Sequence, residues 1–356
     1  MPILQKIAYA FLTLFGVVTV IFFLFTILPG DPAKMMLGQN QTQAQIKNIN
    51  AKYGFDQSLG KQYILYLNDL SPLSFHSTNP TDFSSLESEK YTATSLFCTA
   101  SFCVAIKYPH LRESFQKNGK LVNSVISETL PNTAILAISA ISIALLFGVF
   151  LGIISAIHKD SLLDKSIQLL STLGMSVPSF FSAILFAWFF AFVLNEYTHL
   201  NMSGNLYELD DYGEKNHLVL KNLILPAVVL GIRPLAVISQ LMRNALLDVL
   251  HQNYIRTAKA KGMNNYQIIK NHALKNALNP VITAISGWFA SMLAGAVFVE
   301  YIFGWNGLGK EIVDALNALD LPVIMGAVLV IALMFICINI LVDVIHSYLD
   351  PKLKLN

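Results

Sequence analysis

YIRTAKAKGMNNYQIIKNHALKNALNP, residues 254–280, is a basic, Gly-centred stretch between two long apolar runs. A turn between two membrane helices needs no polar connection of this length. From about Asn253 to Lys261 there is no helix breaker, and Ala258 and Ala260 favour a helix. Lys259 and Lys261 fall in its last turn with Gly262 just beyond, a helix C-terminal signature. Asn264 or Asn265 can cap a second helix running to about Ala277. Along it, Ile268, Ile269, Ala273, Leu274 and Ala277 follow a period close to 3.6 residues. The expected element is therefore a helix, a Gly turn and a second helix, with an apolar stripe and basic flanks. Pattern alone allows two roles: a helix pair lying on anionic lipid, or a docking element for a cytoplasmic partner.

The rest of the chain sets the context. Its 356 residues are 54% hydrophobic and only 13% charged, with a mean hydropathy of +0.54. Soluble domains carry about 25% charged residues, so this composition belongs to the membrane class. The net charge of +2 carries no signal as a total, and three cysteines make no disulfide scaffold. The apolar run Ile7 to Leu28 ends at Pro29-Gly30-Asp31-Pro32. It exceeds the core of a signal peptide, about 7–15 residues, and is expected to be a retained first transmembrane helix.

Six stretches are apolar enough to span: roughly 7–28, 133–157, 167–194, 223–247, 281–303 and 322–346. The third contains Pro178, which is expected to kink it; the fourth contains Pro226, Arg233 and Pro234. Lys159 and Lys165 lie in the 158–166 loop. Arg256, Lys259, Lys261, Lys270 and Lys275 lie in the 248–280 loop, and Lys352 and Lys354 in the tail. The 195–222 and 304–321 loops are acidic. Six spans place every basic loop on one side, with both termini cytoplasmic. Residues 29–132 then form a large extracytoplasmic segment. Within it, 93–106 is too short to span and reads as an amphipathic helix or a hairpin on the outer face.

Several features weigh less. Gly148 and Gly152, and the stripe Gly287, Ser291 and Gly295, allow close helix approach. Intramolecular packing is the preferred reading and a dimer contact the other. GWNGLGK (304–310) fits G-x-x-x-x-G-K, but Glu311 replaces the Ser or Thr of a nucleotide loop and no strand precedes it. It reads as a tight re-entry turn with Trp305 at the membrane interface. Cys98 and Cys103 are a candidate disulfide, with two free buried thiols as the alternative; Cys337 is a packing residue within a span. No metal-ligand pattern, cofactor motif, catalytic triad or paired-carboxylate arrangement is present, and nothing argues for an enzyme or for nucleic-acid binding. Arg233 is the one ionisable residue deep in a span: it faces a water-filled path or is paired, or else it snorkels. Glu300, near the outer end of the fifth span, reads as interfacial.

The 254–280 stretch resembles the EAA-type coupling loop of ABC-importer permeases, in the form used by the dipeptide/oligopeptide/nickel permease family. That form runs approximately YxRTAxAKG, then HALxNAxxP. Here it stands as Tyr254, Arg256, Thr257, Ala258, Lys259, Ala260, Lys261 and Gly262, then His272, Ala273, Leu274, Lys275, Asn276, Ala277 and Pro280. LPGDP (28–32), YGFDQSLGKQY (53–63), LPNT (130–133), SVPSF (176–180), FGWNGLG (303–309) and LVDVIHSYLDPKLK (341–354) extend the resemblance through most of the chain. Asn306 departs from it where the turn usually has Pro, and residues 73–107 look like an insertion.

The resemblance implies an all-α permease of type I ABC-importer fold with six transmembrane helices. Its parts would be the N-terminus and first helix (1–28), the extracytoplasmic segment (29–132) and the permease core (133–356), which carries the cytoplasmic coupling loop 248–280. It implies a bacterial inner-membrane location and a related second permease subunit. Two cytoplasmic ATPases that hold the coupling loops and an extracytoplasmic substrate-binding protein would complete the complex. ATP hydrolysis would belong to the partners, and di- or oligopeptides would be the cargo. Alternatives are the same architecture carrying nickel or another small solute, or an ATP-independent transporter or channel.

Overall fold

The computed structural model describes residues 3–27, 32–37, 42–79, 82, 84–86, 91, 93–117, 119–210, 212 and 216–349. Most of LPGDP and the last residues of the C-terminal motif fall outside these. In chain order the elements are α1 (Ile3–Ile27), α2 (Pro32–Leu37), α3 (Gln43–Tyr53), α4 (Leu59–Leu70), β1 (Leu73–Ser77), β2 (Ala93–Cys98), β3 (Phe102–Lys107), α5 (Val122–Ile157), α6 (Leu162–Ser176) and α7 (Ser179–Phe186). A π-helical stretch, Ala187–Val193, extends α7. Then come α8 (Asn195–Thr198), β4 (Tyr207–Leu209), β5 (Asn216–Leu218), α9 (Lys221–Leu250), α10 (Asn253–Ala260) and α11 (Asn265–Ile268). A second π-helical stretch, Ile269–Ala273, leads into α12 (Leu274–Gly295), followed by α13 (Val297–Ile302), α14 (Leu308–Asn317) and α15 (Leu321–Leu349).

Among the described residues, four helices are long and apolar enough to cross a membrane: Ala8–Thr26, Val122–Ile157, Lys221–Leu250 and Leu321–Val342. Counted together, the α6–α7 pair, bent by 110°, would make a fifth. The expected single span at 167–194 is thus two helices. The cause is local: the residue before a proline is pushed out of the α region, and Val177 is extended at φ −76°, ψ 129° ahead of Pro178. The stretch expected as a fifth span, 281–303, falls on α12 and α13 with a break at Ala296.

The chain forms two compact units. The first comprises 1–7, 129–313 and 333–356. One of its cores gathers Leu136, Ala140, Leu230, Met292, Val299, Phe303 and Trp305. A second gathers Ala144, Ile238, Met242 and Leu246 with residues of the 254–280 stretch. The Gly148-Gly152 step has an intramolecular use, because α5 lies directly on α9 there. A Cβ on Gly152 would sit 2.6 Å from both Met242 Cβ and the Ser239 carbonyl. Gly287 has nothing within 4 Å of such a Cβ, so its stripe starts on open surface.

The second unit comprises 8–128 and 314–332. Phe22 packs between Tyr63 and Tyr66, with ring centroids 5.2 and 5.4 Å away. Asp320 accepts hydrogen bonds from the Ser114 hydroxyl and from the Phe115 and Gln116 amides. Residues 93–106 form a hairpin, and the sheet order is β1-β3-β2, antiparallel throughout. Its alternation is inverted. Ser74, His76 and Lys107 are buried, while Leu73, Phe75, Phe97, Phe102 and Ile106 are exposed.

The contact of α5 with α9 predicts the effect of crowding it. Gly152→Val overpacks a filled interface and should cost about 1–3 kcal/mol. A lower thermal unfolding temperature in detergent, with less protein accumulating in membranes, is the expected result.

Candidate functional site

The 254–280 stretch folds as a helix, a tight turn and a second helix. α10 ends with Lys259 in its last turn, and Gly262 follows at φ +80°, a conformation that Gly adopts without Cβ strain. Asn264 caps α11: its side chain accepts the Gln267 amide at 2.8 Å while Gln267 Oε1 accepts the Asn264 amide at 3.2 Å. The second helix does not stop near Ala277. It runs through Pro280 to Gly295 in α12, with a π-helical turn at Ile269–Ala273. The backbone irregularities are carried inside one continuous helix.

The apolar stripe is seated and the charges are free. Ile255, Ala258, Ile268, Ala273, Ala277 and Val281 are buried with Ile238, Met242 and Leu246 of α9 and Ala144 and Ala156 of α5. Arg256, Thr257, Lys259, Ala260, Lys261, Gly262 and His272 are all exposed. Three members of the motif do structural work instead. Ala258 packs inward, and the Tyr254 hydroxyl accepts a hydrogen bond from Asn276 Nδ2 at 2.8 Å, clasping α10 to α12.

Beside this seat lies an ion pair that composition does not announce. Asp164, capped from Ser161 at the start of α6, is 1% exposed. It accepts Arg243 Nε at 2.8 Å and Nη2 at 2.7 Å, Ser155 Oγ at 2.5 Å, Gln168 Nε2 at 2.9 Å and the Asp160 amide at 2.9 Å. The bidentate fork is the strong form of a carboxylate–guanidinium pair. It joins the end of α5, the start of α6 and the end of α9. Asp164 and Arg243 are both visible in the sequence, but 79 residues separate them and no local spacing links them.

Arg233 sits well inside α9 and is exposed. It makes no ion pair among the described residues; its guanidinium lies 6.0 Å from the Trp288 ring centroid. A cavity of about 90 Å³ opens there, lined by Gly174, Val177, Ser179, Ser182, Arg233, Trp288 and Ser291 among others.

The 303–309 turn departs from its expectation. Glu300 and Trp305 are not interfacial: both are 0% exposed. Glu300 Oε2 accepts the Gly309 and Lys310 amides at 2.7 and 3.1 Å, at the start of α14. The G-x-x-x-x-G-K pattern thus does hold an acidic group at a helix N-terminus, and that group is the chain's own Glu300 carboxyl. A Cβ on Gly307 would collide with that carboxylate. Trp305 Nε1 donates to the Asn132 carbonyl at 3.1 Å, Thr133 Oγ1 accepts the Leu308 amide at 2.7 Å, and Asn132 Nδ2 donates to the Asn306 carbonyl at 2.7 Å. LPNT and FGWNGLG therefore bond to each other. The Asn306 amide donates to Asn205 Oδ1 at 2.7 Å, a bond that a proline could not make.

Cys98 and Cys103 are disulfide-bonded across the turn between β2 and β3, and Cys337 is exposed rather than packed. Among the described residues, no three His, Cys, Asp or Glu side chains gather closely enough to hold a metal ion. The second unit has a polar cluster of its own: Asp69 accepts from Arg112 Nε at 3.1 Å and from the Tyr91 hydroxyl at 3.0 Å, and Tyr53 donates to Glu113 at 2.7 Å. Burial, ahead of the neighbouring charges, pushes the Tyr66 phenol up to about 12. These groups form a structural network around a cavity of about 50 Å³.

Two family descriptions match the chain. "Binding-protein-dependent transport system inner membrane component" covers residues 148–355, and "Binding-prot-dependent transport system membrane comp, N-term" covers 2–80. A putative peptide permease protein of Brucella suis is 32% identical over 96% of this chain and 95% of its own length. The dipeptide transport system permease protein DppB of Bacillus subtilis is 33% identical over 97% of this chain and 94% of its own. The di/tripeptide transport system permease protein DppB of Pseudomonas aeruginosa is 30% identical over 96% and 95%. Among solved structures, a chain of the inward-facing MetNI methionine ABC transporter aligns with a TM-score of 0.50 at 14% identity. It covers 64% of this chain and 97% of its own, a likeness of fold.

The Asp164–Arg243 pair predicts an asymmetric mutational response. Arg243→Ala leaves a buried carboxylate uncompensated and should cost about 3–5 kcal/mol. The double variant Asp164→Asn with Arg243→Gln should be milder than Arg243→Ala alone, because no charge is stranded. Thermal unfolding of the purified variants in detergent measures both.

Proposed function

The chain belongs to the family of binding-protein-dependent transport system inner membrane components, and from that premise we propose that it is one permease subunit of an ATP-driven peptide importer. The observation that carries the proposal is the seated helix pair at 254–280, whose apolar side is buried and whose basic side is free. A lipid-bound pair would turn its apolar face to the membrane. Here Ile255, Ile268, Ala273 and Ala277 are already spent on α9 and α5. What remains outside is Arg256, Lys259, Lys261 and Lys270, which suits a protein partner in the water phase.

In this reading, α12 and α13 supply a sixth crossing, both termini are cytoplasmic, and residues 29–132 face outward in a bacterial inner membrane. The domain limits are those of the sequence: 1–28, 29–132 with its insertion at 73–107, and 133–356. A related second permease completes the path, and a cytoplasmic ATPase grips the coupling loop of each permease. An extracytoplasmic binding protein delivers cargo. The relatives' names, together with end-to-end similarity, favour di- or oligopeptides as that cargo.

The mechanism follows from rigidity. A push on α10 and α11 passes into α9 through the buried stripe and into α12 through unbroken helix. ATP can drive the change only if its binding favours one arrangement of these helices over the other. Gly262 sets the turn that presents Arg256 and Lys259. A β-branched residue at φ +80° carries about 1–3 kcal/mol of strain.

The test is a purified complex in vesicles with its ATPases and binding protein. Peptide should stimulate ATP hydrolysis and accumulate inside, and nickel should do neither. Gly262→Val or Gly262→Pro should leave the protein in the membrane and reduce peptide uptake at least tenfold. Normal uptake by these variants would overturn the coupling assignment.

A further inference from the structure

We propose that Arg233 and the serine-lined cavity beside it form a subsite for the carboxylate of the passing cargo. The proposal rests on the reading of the chain as a peptide permease and gives that path a specific chemistry.

Position comes first. Arg233 stands twelve residues from the start of α9 at Lys221 and seventeen from its end at Leu250. At 1.5 Å per residue these are about 18 and 25 Å along the axis. An arginine side chain covers only part of either distance, so snorkelling to a helix end does not account for it. A charge at this depth is costly unless it is paired or wet, and such residues mark pathways. Arg233 makes no ion pair among the described residues, and it is exposed.

The cavity supplies the second argument. Its lining contains Arg233 and the hydroxyl residues Ser179, Ser182 and Ser291, and no acidic side chain. Its charge is positive, and its hydroxyls can donate. A volume of about 90 Å³ admits a small planar anion and excludes a whole peptide. A guanidinium meets a carboxylate through two parallel hydrogen bonds, which fixes orientation as well as charge. Trp288 flanks the guanidinium, its ring centroid 6.0 Å away.

The wall of the cavity is the third. Val177 and Ser179 flank the break between α6 and α7, bent by 110°. Irregular backbone at membrane depth is tolerated where it lines a cavity. α12 contributes Trp288 and Ser291 from the helix that also carries Gly287, which has nothing within 4 Å of an added Cβ. The cavity is not enclosed, which suits a group reached by a ligand in transit. A peptide offers a carboxylate at its C-terminus, and that group would dock here while the rest of the chain stays in the wider path.

The experiment uses the complete transporter in vesicles, with its ATPases and binding protein. Ala-Phe and its C-terminal amide are each supplied at a concentration that saturates the binding protein. The readout is the ratio of acid to amide uptake. The wild type should favour the acid, Arg233→Gln should lower the ratio about tenfold, and Arg233→Lys should keep it within about threefold. An unchanged ratio in Arg233→Gln, whether uptake of both peptides falls or neither does, overturns the subsite and leaves the peptide permease intact. Failure of the wild type to carry either peptide refutes the cargo assignment, and the subsite falls with it.

Discussion

Asp164 is the charge on which the seat of the 254–280 element depends. A carboxylate that is 1% exposed in a largely apolar protein would be ruinous alone. It is held by two guanidinium contacts, two side-chain donors and one backbone amide. Removing either charge alone breaks the set, so the ends of α5, α6 and α9 are tied in one arrangement. The helix pair packs against the C-terminal half of α9 and has a fixed base to push on. Apolar packing alone would tolerate sliding; a five-point polar bond does not.

The sequence was legible where the physics is local. Gly262 after a lysine-bearing turn, Asn264 ahead of an apolar period, and Pro178 within an apolar run each act through the backbone beside them, and each stands where the residues indicated. The charges were legible too, since Arg256, Lys259 and Lys261 stayed in solvent. What stayed hidden depends on partners far away in sequence. A lone Glu300 near the end of an apolar run resembles an interfacial residue. Its partners are amides nine and ten residues on, which no periodicity encodes. Trp305 read as an interface anchor for the same reason, yet its indole N–H is satisfied by Asn132, 173 residues away. The second helix was expected to run to about Ala277, but it continues through Pro280, because in a long helix with neighbours packed against it a proline need not end anything.

Residues 73–107 show the limit of alternation as a guide. β1 alternates, and the face it buries is the polar one, Ser74 and His76, with Lys107 of β3 buried as well. Lys107 sits 3.9 Å from Asp69 and 4.1 Å from the Tyr91 ring centroid, so the buried face is paid for by pairing. Period-two patterning tells which residues share a face. Only the surroundings decide which of the faces turns inward.

The Asn306 amide makes two loops a single heritable unit. Its bond to Asn205 ties the turn after α13 to the segment ahead of β4. A proline at 306 would erase the donor and leave Asn205 Oδ1 seeking another. The two positions should therefore drift together among descendants of this chain. Chimeric permeases that exchange 303–309 between relatives will assemble better when 199–206 travels with it.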